Sequence, residues 1–161
     1  MQIACSATKV VILAFAICFT TASWAGMPPQ HYAERAEESK IKAIAVVEKV
    51  EVLEKIKRYT TKQVTFRLEY GLTFDTPATF TGQCASVDHE WQDPGVGGII
   101  FLYPNVGERV FVTVSSDGGS ITSFTPITPE LENSVKETPG NICYGFSEGR
   151  VGEDCTNRSQ Q

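Results

Sequence analysis

The chain has 161 residues, 42% of them hydrophobic and 20% charged, with nineteen acidic side chains against fourteen basic ones. The resulting net charge of −5 argues against nonspecific attraction to nucleic acid or to an anionic membrane surface, both of which need a basic face. The length suits one domain that buries its own core, and no repeat or low-complexity tract divides it.

Lys9 is the only charge in the first 33 residues, and an apolar run follows at residues 10–19. A bilayer span needs about 20 apolar residues, so this run has the length of a signal-peptide core instead. Ser23 and Ala25 then supply small side chains two positions apart, which places the expected cut between Ala25 and Gly26. Cys18 follows Ile17 rather than a small residue, which argues against a lipoprotein signal. Residues 1–25 are therefore read as a cleaved signal peptide, and the product as secreted or periplasmic. Cleavage removes Lys9, so thirteen basic residues face nineteen acidic ones, a net charge of −6. No later stretch is apolar enough to predict a membrane span in the mature chain.

Residues 26–40 form a lead-in, with a short helix predicted over 31–39 after Pro28-Pro29. Residues 42–56 mix helix-favouring Glu and Lys with β-branched residues. The alternation predicts a long strand, with Ile44, Val46, Val50 and Val52 on one face and Lys49, Glu51 and Lys55 on the other. After a loop at 57–60, residues 63–70 alternate cleanly, Val64, Phe66, Leu68 and Tyr70 against polar neighbours, as a half-buried strand does. Residues 78–84 predict a third strand with Phe80, Gly82 and Cys84 on one face, and 87–98 a polar loop. An apolar strand is expected at 99–103, a turn at 104–107 and another strand at 109–114. Asp117-Gly118-Gly119 is a hairpin signal, leading to a last strand at 121–127. Thr128 and Pro129 then suit the cap and first position of a helix whose inner face carries Leu131 and Val135. Pro139-Gly140 ends that helix, so the domain runs over 41–138 and a Gly-rich tail over 139–161. The expected class is mainly β: a small antiparallel Greek-key, OB-like barrel of about six strands with a short helix at each end, or alternatively a β-sandwich.

Three stretches, Ala45-Val46-Val47-Glu48-Lys49-Val50, Val64-Thr65-Phe66-Arg67-Leu68 and Gly107-Glu108-Arg109-Val110-Phe111-Val112-Thr113-Val114, resemble the secreted OB-barrel group that includes netrin-like and metalloproteinase-inhibitor modules. The resemblance covers most of residues 43–127 and implies a fold only. Those inhibitors begin with a metal-binding Cys and carry several disulfides. Here the mature chain begins Gly26-Met27-Pro28, so no inhibitory residue is carried over.

Three cysteines follow the signal: Cys84, Cys143 and Cys155. An oxidising compartment lets one pair close. Cys143 with Cys155 is favoured, because they flank a short Gly-rich segment near a chain end; Cys84 would then be a buried free thiol. The rival pairing joins Cys84 to one of the tail cysteines. The surface loop at 88–98, which opens on the densest polar cluster at 88–93, is the favoured binding surface, with Asp88, His89, Trp91 and Asp93 nominated and Trp91 as its anchor. Cys84, His89 and the nearby acids could also make a thiol- or metal-dependent enzyme site. No paired-ligand spacing and no nucleophile-elbow context supports that, so no metal, no cofactor and no catalytic residue is predicted. Trp91, Phe101, Tyr103, Phe111 and Phe124 are expected mostly in the core. The reading is a non-enzymatic binding or accessory module for an unknown protein or envelope component.

Overall fold

Alternation of apolar side chains shapes the long strands of this chain, and five of its strands share one sheet. The computed structural model describes residues 29–152 apart from 96 and 146–148. The expected signal peptide, its Ala25–Gly26 cut and Cys155 lie outside the described residues. The elements are α1 (Pro29–Glu37), β1 (Ile41–Lys55), β2 (Thr60–Gly71), β3 (Thr79–Ser86), β4 (Arg109–Val114), β5 (Ile121–Pro126), α2 (Pro129–Glu137), a 3-10 turn (Pro139–Asn141), β6 (Cys143–Tyr144) and β7 (Val151–Gly152). Among the described residues the protein is thus mainly β, with a five-stranded antiparallel sheet in the order β3-β2-β1-β4-β5, a small β6-β7 sheet and two short α-helices. Among the described residues no helix is long and apolar enough to cross a membrane.

The larger of two core clusters lies on one face of the five strands. Ala43, Ala45 and Val47 of β1, Val64 and Phe66 of β2, Phe80 and Cys84 of β3, and Val110, Val112 and Val114 of β4 form one buried cluster. This corrects the expected inner face of β1. Its core positions over 41–47 are the odd residues, with two small alanines; past the register shift between Val47 and Lys49, even-numbered Val50 packs against the same cluster as expected, while Val52 is half exposed. The even residue Ile44 is buried too, but on the opposite face, where it joins Phe111, Leu131, Val135, Ile142 and Val151 beneath α2 and the tail. A strand covered on both faces loses its hydrophobic alternation, and here that misassigned the face. β2 and β3 keep one wet face, and their alternation holds at Val64, Phe66, Phe80, Gly82 and Cys84, which are buried, but it fades at the end of β2, where Leu68 is partly buried and Tyr70, expected inside, is exposed.

A strand expected at 99–103 is absent. Gly97 and Gly98 both have φ near 86°, a left-handed conformation that breaks extension, and Pro104 follows. Only Leu102 of these five apolar residues is buried. The segment meets the sheet through one isolated parallel bridge, Ala85 with Phe101, and one bond, Leu102 N–H to the Ala85 carbonyl at 2.8 Å. Further along, the same edge of β3 is taken by the β4–β5 turn. Gly118 N–H reaches the Thr81 carbonyl (2.9 Å), Gln83 N–H reaches the Gly119 carbonyl (2.7 Å), and Gln83 bridges Ser120 in parallel.

Two features stood outside the sequence reading. α1 is more than a lead-in: Ala36 is fully buried, and the Ser39 hydroxyl beyond the helix bonds that of Thr122 at 2.6 Å. The described part of the tail contributes β6 and β7, which pair with each other, β7 lying against β5 and β6 against α1. The second helix follows expectation, with the Thr128 hydroxyl accepting from Leu131 N–H and Pro129 in the first turn.

Arg109 at the start of β4 fastens α2 to the sheet. Its guanidinium donates to Glu69 on β2 and, with two nitrogens, to both oxygens of Glu132 at 2.6 and 2.7 Å. Lys136 adds a third contact to Glu132. The Arg109 bonds, then the Lys136 bond, hold the Glu132 carboxyl down at about 2 against an ordinary 4.5. A carboxyl depressed in the folded state stabilises the fold above its unfolded value, and that contribution is lost as pH falls through the folded one. Urea midpoints of the wild type and Glu132→Gln should therefore differ by a constant amount above about pH 4.5 and converge toward pH 2. Parallel curves down to pH 2 would show that the clamp contributes nothing.

Candidate functional site

The polar loop after β3 is built around a residue the sequence reading passed over. Gln92 is 6% exposed and its side-chain oxygen accepts from Asp88 N–H (2.8 Å) and His89 N–H (3.2 Å). Its amide nitrogen donates to the Ile56 carbonyl (3.2 Å) and to the Thr60 hydroxyl (3.0 Å), which is itself fully buried. One side chain thus ties the loop's two leading amides to the β1–β2 turn. Three further contacts repeat the attachment: Asp93 N–H to the Lys57 carbonyl, Arg58 to the Pro94 carbonyl, and the Lys62 ammonium to Asp88 at 2.9 Å. Partial burial opposes ionisation of Asp88. Lys62, with help from Ser86 and His89, outweighs it and keeps the carboxyl below the usual carboxylate range.

The four nominated residues therefore divide. Asp88 is engaged by Lys62, and Asp93 accepts from Gly95 N–H at 3.1 Å, so both hold the loop's shape. His89 and Trp91 face outward together, their rings stacked at 5.3 Å and only 10° from parallel. Trp91 is 58% exposed, against the core position expected for it. Of the other aromatic residues expected inside, Phe111 and Phe124 are buried, Phe101 is partly buried and Tyr103 is exposed. A large aromatic surface on a loop whose backbone is already fixed pays little ordering entropy on binding, which is what an interaction anchor needs.

Cys84 is a free thiol in the core cluster. Burial pushes it up to about 11, with Lys62 opposing weakly. At neutral pH roughly one such thiol in ten thousand is ionised, and the thiolate is the reactive form. His89 stacks on Trp91 outside that core, so the two halves of the considered thiol–base pair sit in different environments. Cys143 is buried in β6; its expected partner Cys155 falls outside the described residues. No protein-family model, curated protein or solved structure matches the chain.

Proposed function

We propose that this protein is an exported, non-enzymatic binding or accessory module of the cell envelope or extracellular space, and that residues 88–95 are its contact surface. The observation that carries the reading is exposed Trp91 stacked on half-buried His89, on a loop pinned by buried Gln92. The export half rests on the residue pattern of 1–25, and the Cys143–Cys155 pairing belongs to the same oxidising setting. The proposal extends to the fold, a Greek-key OB-like barrel in the cyclic order β1-β2-β3-β5-β4. It is supported by the parallel Gln83–Ser120 bridge, which brings the two outer strands of the sheet together. The high value of the Cys84 thiol weighs against the alternative, a thiol- or metal-dependent enzyme using Cys84 and His89.

The test places the photo-crosslinking residue p-benzoylphenylalanine at position 91, or at the fully exposed Phe74 as a control, in the exported protein. Irradiation of an envelope preparation should give a discrete adduct from position 91. Excess wild type should compete it away, and excess His89→Ala/Trp91→Ala should not. Absence of an adduct, or equal competition by the double variant, overturns the reading. Intact mass of the same preparation reads the cut after Ala25 and the number of alkylatable thiols.

A further inference from the structure

A cleft lies beside the loop and is built differently from the loop's aromatic surface. The outer edge of β3 changes partner between Gln83 and Ala85, from the turn at 118–120 to the segment at 100–102. The two partners diverge there, and a cleft of about 260 Å³ opens between them, with α1 contributing to its wall. A side chain added at Gly98 on its rim would meet no atom within 4 Å.

The lining is chemically polarised. Arg35 from the last turn of α1 is its single charged residue, and no carboxylate contributes to it. Cys84, which also reaches the lining, is held protonated by burial. Tyr32, Tyr59 and Gln83 add hydrogen-bonding groups, while Ile99, Ile100 and Ile121 supply an apolar wall. Arg35 makes no ion pair among the described residues, although the chain carries an excess of acid. One unneutralised guanidinium in an acid-free cleft is complementary to one negative head group. At about 260 Å³ the cleft falls just under the roughly 300 Å³ at which ligand sites usually begin, which limits the body that goes with it.

We propose that this cleft binds a small carboxylate with a compact apolar body, the carboxylate on Arg35 and the body against Ile99, Ile100 and Ile121. The neutral polar groups orient the ligand, and the screening length of about 8 Å at physiological salt lets Arg35 act locally despite the acidic surface.

Benzoate is the probe, and benzamide its uncharged counterpart. Titration followed by amide NMR should give saturable shifts centred on residues 98–100 and 120–122 with benzoate, and weaker binding with benzamide. Arg35→Gln should weaken benzoate about tenfold, the low end for a charge-assisted pair at an exposed residue, and leave benzamide within twofold. Amide positions away from the cleft report that the variant is folded. Lys57→Gln, an exposed cation outside the lining, should change neither ligand. Scattered or unsaturable shifts, equal binding of the two ligands, or an unchanged benzoate affinity in Arg35→Gln each overturn the proposal. Trp91 is outside this lining, so Trp91→Ala should leave benzoate binding intact, which separates this site from the loop surface.

Discussion

Gln92→Leu is expected to lower stability by about 2–4 kcal/mol and to release residues 88–93 from the β1–β2 turn. Leucine matches glutamine in bulk, so the change opens no large cavity and isolates the hydrogen bonds. Four partners lose their bond at once: two amides, the Ile56 carbonyl and the Thr60 hydroxyl. The amides of Asp88 and His89 can find water when the loop lifts. The Thr60 hydroxyl, fully buried, cannot without local opening, and an unsatisfied buried group costs about 1–3 kcal/mol. Urea unfolding followed by far-UV circular dichroism measures the stability loss. Trp91 is the only tryptophan after residue 25, so its fluorescence anisotropy in native buffer reports the loop alone and should fall. An unchanged anisotropy would mean that Lys62–Asp88 and Arg58–Pro94 suffice to hold the loop, and the pinned-anchor argument would lose its physical basis.

The contrast between Gln92 and its neighbours shows what the sequence could reveal. Periodicity is local, and it served where one face of a strand is wet: Val64, Phe66, Phe80 and Cys84 are core residues on both grounds. It failed on β1, where α2, some ninety residues later, covers the even face at Ile44. It failed again at 99–103, where apolar composition suggested a strand but β3 had already given part of its free edge to Gly118 and Gly119. The cap at Thr128 was legible because capping is settled within four residues. Gln92 was not, because what makes it structural is a pair of acceptors 32 and 36 residues upstream. Asp88 and Trp91 were nominated by composition alone, which could not distinguish the residue that braces the loop from the one it presents. The Arg35 cleft left no local trace either, since its lining comes from α1, the β1–β2 turn, β3, the 98–100 segment and the start of β5.

Phe66→Ala should cost more than any loop change, about 3–5 kcal/mol. Phe66 is fully buried, stacks on its register partner Phe80 with centroids 5.1 Å apart, and leans on Phe124 at 6.5 Å. It thereby joins β2 and β3 to β5, the strand at the far end of the sheet order. Truncation removes the transfer energy of a phenyl ring and leaves a cavity between strands whose backbones are fixed by ladders on both sides of β2, so little collapse can fill it. Such a loss takes a large share of the 5–15 kcal/mol typical of a whole domain. Phe66→Leu, which keeps most of the volume, provides a folded comparison if the alanine variant does not accumulate. The urea midpoint should fall in the order wild type, leucine, alanine, with Trp91 anisotropy in native buffer unchanged while the protein stays folded. A cost below about 1 kcal/mol for the alanine variant would mean that β3 and β5 can close over the vacancy. The two outer strands would then be held by their sparse bridges rather than by the shared aromatic core, and the barrel reading would lose its main energetic support.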